Sequence, residues 1–248
     1  MSLILALETA TPVCSVALAR DGEILSIRES TAHNAHSSVL TVFIEELFHE
    51  VSLHYSDLDA ISVSKGPGSY TGLRIGVSAA KGLCYALDKP LIAIPTLKAM
   101  AVGMINYPSP DPSPTREGSN CQLPAANYQL LFCPMIDARR MEVYCTVYDK
   151  NLNEVLPTAA VIVDEHSFEQ LLVNHMILFA GTGSEKCKDV LSYQSNALFL
   201  DDFQASAKFM IALAEKRFNE KQFESLAYFE PFYLKDFIAA KPKVKGLR

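Results

Sequence analysis

The chain of 248 residues is 49% hydrophobic and 20% charged, which excludes wholesale disorder and allows one large domain or two of ordinary size. A net charge of −6 disfavours a surface given over to gripping a phosphate backbone, though a local basic patch stays open. Cys14, Cys84, Cys121, Cys133, Cys145 and Cys187 form no C-x-x-C pair and sit mostly in apolar runs, which reads as reduced cytoplasmic cysteine filling a core.

The apolar start, Leu3 to Leu7, is too short for a signal peptide and meets Glu8. No run approaches the ~20 apolar residues that span a membrane. In chain order, Leu3–Glu8 reads as a buried strand and Cys14–Arg20 as a second. Asp21-Gly22 is a two-residue hairpin turn, followed by a strand over Glu23–Ser30. From about His36 to Val51 the period turns helical, with Leu40, Phe43, Ile44, Leu47 and Val51 on one face. Asp59–Ser64 is a fourth strand. Lys65-Gly-Pro-Gly-Ser-Tyr-Thr-Gly-Leu-Arg-Ile-Gly76 then turns the chain sharply into a helix over about Thr71–Leu87, stopped by Asp88-Lys89-Pro90. Leu91–Ile94 is a short strand closed by Pro95. Residues 106–127 carry Pro108, Pro110, Pro112, Pro114 and Pro124 and read as an exposed insertion.

The pattern then repeats. Gln129–Ile136, Met141–Tyr148 and Val155–Val163 read as strands, the last interrupted by Pro157. Asp164 is placed to cap a helix through about Val173. Met176–Ala180 leads into a second glycine turn, Gly181-Thr182-Gly183-Ser184, and another helix. Leu198–Leu200 and an amphipathic helix over about 204–219 follow, and Lys241 to Arg248 reads as a disordered basic tail. A βββαβα unit used twice predicts two similar α/β lobes with a cleft between them. The expected division is 1–100, 101–236 and a tail at 237–248, with the helix at 204–219 packing back on the first lobe.

Several chemistries are open to this pattern. The glycine loop lacks the lysine of a Walker loop and the third glycine of a dinucleotide fingerprint. Each lobe's first strand ends in an acid, Glu8 or Asp137, as a cleft ATP site with magnesium would need. Glu8-Thr9-Ala10-Thr11 suits a phosphate hairpin, whereas Asp137-Ala138-Arg139-Arg140 is bulky there but could hold an anion. His33 and His36 lack a third metal ligand nearby and read as loop or capping residues. At about 100° per residue, Gly72, Gly76, Ala79 and Leu83 share one helix face, with Ala80 and Leu87 at its edge and Leu73 to one side. Spacing leaves two readings of that face, an apolar patch for a partner or internal core.

The motif at 65–76 resembles the hallmark of the bacterial TsaB (YeaZ) family. Leu7-Glu-Thr-Ala-Thr-Pro-Val-Cys-Ser-Val-Ala-Leu18, His36-Ser37, Ile136-Asp-Ala-Arg-Arg140 with Glu142-Val143-Tyr144, and Pro231-Phe-Tyr-Leu-Lys235 support it. Together they span roughly 1–100 and 128–236. The resemblance implies an α/β fold of the actin/Hsp70/sugar-kinase type. It implies a non-catalytic subunit that pairs with TsaD and recruits the ATPase TsaE to make N6-threonylcarbamoyladenosine at position 37 of tRNAs reading ANN codons. It implies pairing through the helices at 36–51 and 72–87, here Leu40, Phe43, Leu47, Gly72, Leu73, Gly76, Ala79, Ala80 and Leu83, and a homodimer when alone. Any ATP or ADP would lie at a site shared with TsaD and TsaE, touched here by Glu8, Thr9, Ser69, Thr71 and Arg74. No catalytic residue, no metal, no membrane and only indirect tRNA contact are expected. The alternative is an independent enzyme of the same fold, a kinase or metal-dependent hydrolase. Glu8 stands where the family usually carries Asp, and the insertion at 106–127 is longer than typical.

Overall fold

The computed structural model describes residues 1–32, 36–107 and 129–235. His33, Cys121, nearly all of the proline-rich insertion and the basic tail lie outside them. The first lobe holds β1 (Leu3–Glu8), β2 (Cys14–Arg20), β3 (Glu23–Ser30), α1 (His36–Val51), β4 (Ala60–Gly66), α2 (Tyr70–Leu87) and β5 (Leu91–Pro95). Then comes α3 (Thr96–Ile105). The second lobe holds β6 (Gln129–Asp137), β7 (Glu142–Tyr148), β8 (Glu154–Ile162), α4 (Glu169–Leu172), β9 (His175–Ala180), α5 (Ser184–Leu191) and β10 (Ala197–Leu200). A 3-10 turn, Ala207–Met210, runs into α6 (Ile211–Asn219).

The sheets are ordered β3-β2-β1-β4-β5 and β10-β9-β6-β7-β8. Taken from its other end, the second repeats the first. In each, two antiparallel ladders precede two parallel ones. The β2–β3 hairpin turns on Asp21 and Gly22, both at positive φ (50° and 83°), as a type I′ turn requires.

The period-2 alternation of β1 divides the core between the faces of the first sheet. Leu3, Leu5 and Leu7 meet Leu40, Ile44, Leu47, Val77 and Cys84 from α1 and α2. Ile4 and Ala6 meet Met210, Ile211 and Ala214 from the 3-10 turn and α6. In the second lobe, Leu97, Met100, Ala101 and Met104 of α3 cover Phe132, Ile136 and Tyr148. Leu172, Cys187 and Leu191 cover the opposite face, which carries Cys133, Met135 and Val143. The lobes thus exchange helices: α3 follows the first sheet but packs on the second, and α6 does the reverse. The two exchanged elements meet where Phe209 lies against Gly103, at whose position a Cβ would come within 2.7 Å of the ring.

Three expectations change. The boundary at residue 100 falls inside α3, a helix whose near-continuous apolar run hides its period. Asp164 caps no long helix. Its Oδ1 accepts bonds from the His166 N–H (3.0 Å) and Ser167 Oγ (2.9 Å), making a tight turn, and α4 starts only after Phe168 at φ 65°. The helix expected from 204 starts as a 3-10 turn, where Ser206 Oγ accepts from the Lys208 N–H, and becomes α-helical at Ile211. Pro157 is accommodated because β8 is an edge strand whose register shifts beside it.

Candidate functional site

The glycine corner between β4 and α2 is closed from below. Ser69 caps α2, its Oγ accepting from the Gly72 N–H at 3.2 Å, while its own N–H donates to Ala10 O at 2.7 Å. Thr9 Oγ1 donates to Gly72 O at 2.9 Å. Three glycines four residues apart make this seat. A Cβ at Gly68 would lie 2.3 Å from Ala10 O, one at Gly72 2.1 Å from Thr9 O, and one at Gly76 2.2 Å from Thr9 Oγ1. The small-residue stripe is spent on the turn between β1 and β2, inside the protein.

Glu8 is sealed beneath that turn, at 1% exposure. Its Oε1 accepts from the Ala10 N–H at 2.6 Å. Burial pushes its pKa from 4.5 up to about 7, against the opposing pull of hydrogen bonds from Ala10, Ser64 and Thr9. Of the residues expected at an anion site, Glu8 and Thr9 are therefore interior, and only Ser69, Thr71 and Arg74 reach the surface. The first two and the last three do not share a site. With the α2 N-terminus capped and its hairpin in contact, this corner does not fit a nucleotide phosphate. His36, beside it, donates from Nε2 to Thr11 O at 2.9 Å. Among the described residues no group of three His, Cys, Asp or Glu side chains could hold a metal.

The partner-face residues divide in the same way. Leu40, Leu47, Gly72, Leu73, Gly76 and Ala80 are buried against the first sheet and its turn, so they cannot be presented to another protein. Phe43, Ala79 and Leu83 are only half-buried. They belong to a strip with Val39 and Ile75, flanked by exposed Val42 (46%), Gly82 and Tyr85 (84%). The outward residues are one helical step round from those that pure periodicity selects, because the sheet takes the centre of the apolar arc.

A strap of chain, residues 222–235, borders this strip. Lys81 Nζ donates to Phe229 O (3.2 Å), Leu226 and Phe229 enter the first core, and the Phe232 N–H donates to Lys65 O at 2.7 Å. The Tyr233 ring lies 4.9 Å from Tyr70, and the Arg74 guanidinium lies over that same Tyr70. Two residues on, Lys235 pairs with Glu142 of β7. At the second-lobe corner Asp137 is half-exposed and pairs with Lys186 of α5, whose Nζ also donates to Glu142 O at 2.6 Å. Sequence reasoning missed the strap, Lys186 and the two tyrosines as partners, since their contacts cross 44 to 167 residues of chain and leave no local signal.

Two βββαβα lobes with exchanged helices and paired strand-to-helix corners define a member of the actin/Hsp70/sugar-kinase class. The protein-family model described as "TsaD: tRNA N6-adenosine threonylcarbamoyltransferase" matches residues 26–243. The tRNA threonylcarbamoyladenosine biosynthesis protein TsaB of Escherichia coli (strain K12) is 30% identical over 246 residues, covering 96% of this chain and 96% of that protein. A tRNA N6-adenosine threonylcarbamoyltransferase of Staphylococcus haemolyticus is 37% identical over 109 residues, 38% of this chain and 32% of that one. The solved structure of YeaZ from Pseudomonas aeruginosa superposes with a TM-score of 0.74 at 24% identity, over 94% of this chain and 100% of that one. The chain belongs to the TsaB (YeaZ) family.

Proposed function

We propose that the protein serves tRNA threonylcarbamoyladenosine biosynthesis as the non-catalytic partner of a TsaD-type transferase subunit. The observation that carries this reading is the half-exposed strip on α1 and α2, Val39, Val42, Phe43, Ile75, Ala79 and Leu83, beside the open Gly82. Apolar residues at adjoining positions of two neighbouring helices make a face that another helical surface can cover. The sealed Glu8 supports the non-catalytic part, because an acid bonded inward to Ala10, Ser64 and Thr9 is not free to ligate a metal or activate water. TsaE and tRNA join through the assembled complex in the cytoplasm, and two copies pair through the same strip when the chain is alone. ATP or ADP, where it takes part, is held by the partners.

Ala79→Glu tests the face. Its side chain is half-exposed, so the variant should melt like the wild type while binding to the transferase subunit weakens at least tenfold, ~1.4 kcal/mol. Co-elution of the variant at wild-type affinity overturns the assignment.

A further inference from the structure

The second-lobe corner carries a feature that the partner face does not use. Arg139 and Arg140 are both exposed and both held at positive φ, 73° and 50°. The acids beside them are already matched, Asp137 by Lys186 and Glu142 by Lys235. Among the described residues neither arginine has an ion pair, and nor does Arg74 across the mouth of the cleft. The named cations Arg74, Arg139, Arg140, Lys186 and Lys235 outnumber the named carboxylates Asp137, Glu142 and Glu230, the last of which adds to burial and Tyr70 in raising the Tyr233 phenol's pKa. This stands on a chain whose net charge is −6.

Between the cations lie aromatic faces. Tyr70 and Tyr233 sit with ring centroids 4.9 Å apart at 40°, and Phe232 beside them is 44% exposed. Next to this pair is an open concavity of about 340 Å³ lined by Tyr70, Thr71, Arg74, Ile75 and Ser78. Arginines without carboxylate partners attract phosphates, and exposed aromatic faces stack unpaired bases; together they suit a single-stranded nucleic-acid loop better than an acidic protein, which would use only the charge.

We propose that the mouth between the lobes is an RNA-contacting rim, with Arg139 and Arg140 on the phosphate backbone and the exposed Tyr233 ring, backed by Tyr70, against an unstacked loop base. This deepens the proposed function, on which it rests, by giving the chain a direct contact with RNA. The experiment follows binding of the full-length chain to an unmodified, fluorescently labelled tRNA anticodon stem-loop across a salt series. Wild type should show log Kd linear in log salt. Arg139→Gln/Arg140→Gln should reduce the slope by about 1.4, roughly 0.7 for each single-strand phosphate that the arginines cease to neutralise. Tyr233→Ala should weaken binding several-fold and leave the slope unchanged. Melting curves exclude unfolding, and the doubly substituted chain should still co-elute with the transferase subunit. Absence of salt-dependent binding by wild type, or an unchanged slope in the double variant, overturns the rim. Loss of co-elution with intact RNA binding makes the corner a protein interface and also overturns it. Failure of the wild-type chain to bind the transferase subunit strikes the proposed function instead.

Discussion

At the first lobe's corner β1 ends on Glu8, at the second lobe's corner β6 ends on Asp137, and the two acids occupy equivalent places in sheets of the same order. One is buried with its pKa pushed up to about 7; the other is half in solvent and ion-paired to Lys186. The connecting turns make the difference. Thr9 and Ala10 are small enough for α2 to settle on them through Gly68, Gly72 and Gly76, and the contact shuts out water. Arg139 and Arg140, at positive φ, are exposed, so water and charge remain. Topology supplies two candidate corners in this fold, and side-chain size at the turn decides whether each becomes core or surface.

The largest break in this comparison should come from filling the first seat. Gly72→Ala sets a Cβ 2.1 Å from the Thr9 carbonyl oxygen, a backbone atom that cannot swing away, and should cost about 3 kcal/mol or more in urea unfolding. Gly183→Ala in the second lobe meets mostly the Val143 methyl (2.9 Å) and the Ile136 and Met135 atoms near 3 Å, and should cost about half as much. Equal losses would mean that the two corners are packed alike.

Glu8→Gln should remove a pH dependence of similar size. The folded-state pKa is raised, so the folded protein keeps a proton that the unfolded chain releases above its ordinary 4.5. The stabilisation is fully present below about 4.5 and is lost as pH rises through about 7, a change of about 3 kcal/mol. Wild-type unfolding midpoints should therefore fall as pH rises from 4.5 to about 7 while those of the Gln variant stay flatter; parallel profiles would show that Glu8 is not sealed. The smallest effect has the opposite sign. Gly82 faces open space in the middle of α2, and Gly82→Ala should stabilise the fold by about 0.5–1 kcal/mol. A loss of stability there would place Gly82 against something in the isolated chain.

The regular elements with clean periodicity were legible from residues alone. α1 spans His36–Val51 because it exposes one face and buries the other, and β3 spans Glu23–Ser30 because the Asp21-Gly22 turn folds it back on β2. α3 was not legible: seven of its ten residues are buried, and a helix wrapped in core on most sides shows no polar stripe. Asp164 misled because the same side-chain oxygen serves a tight turn and a helix cap equally well.

The candidate site divides along the same line. Local sequence determined that 65–76 makes a strand-to-helix corner, since Gly66 takes φ 106° and Ser69 caps the following helix within three residues. It also determined that α2 carries small residues at a spacing of four. Which way that stripe points was a tertiary outcome. The β1–β2 turn, nearly sixty residues upstream of Ser69, claims Gly68, Gly72 and Gly76, leaving Ile75, Ala79, Gly82 and Leu83 for the surface. Periodicity can say that residues share a face, but the neighbour that covers that face comes from elsewhere in the chain, and only packing selects it.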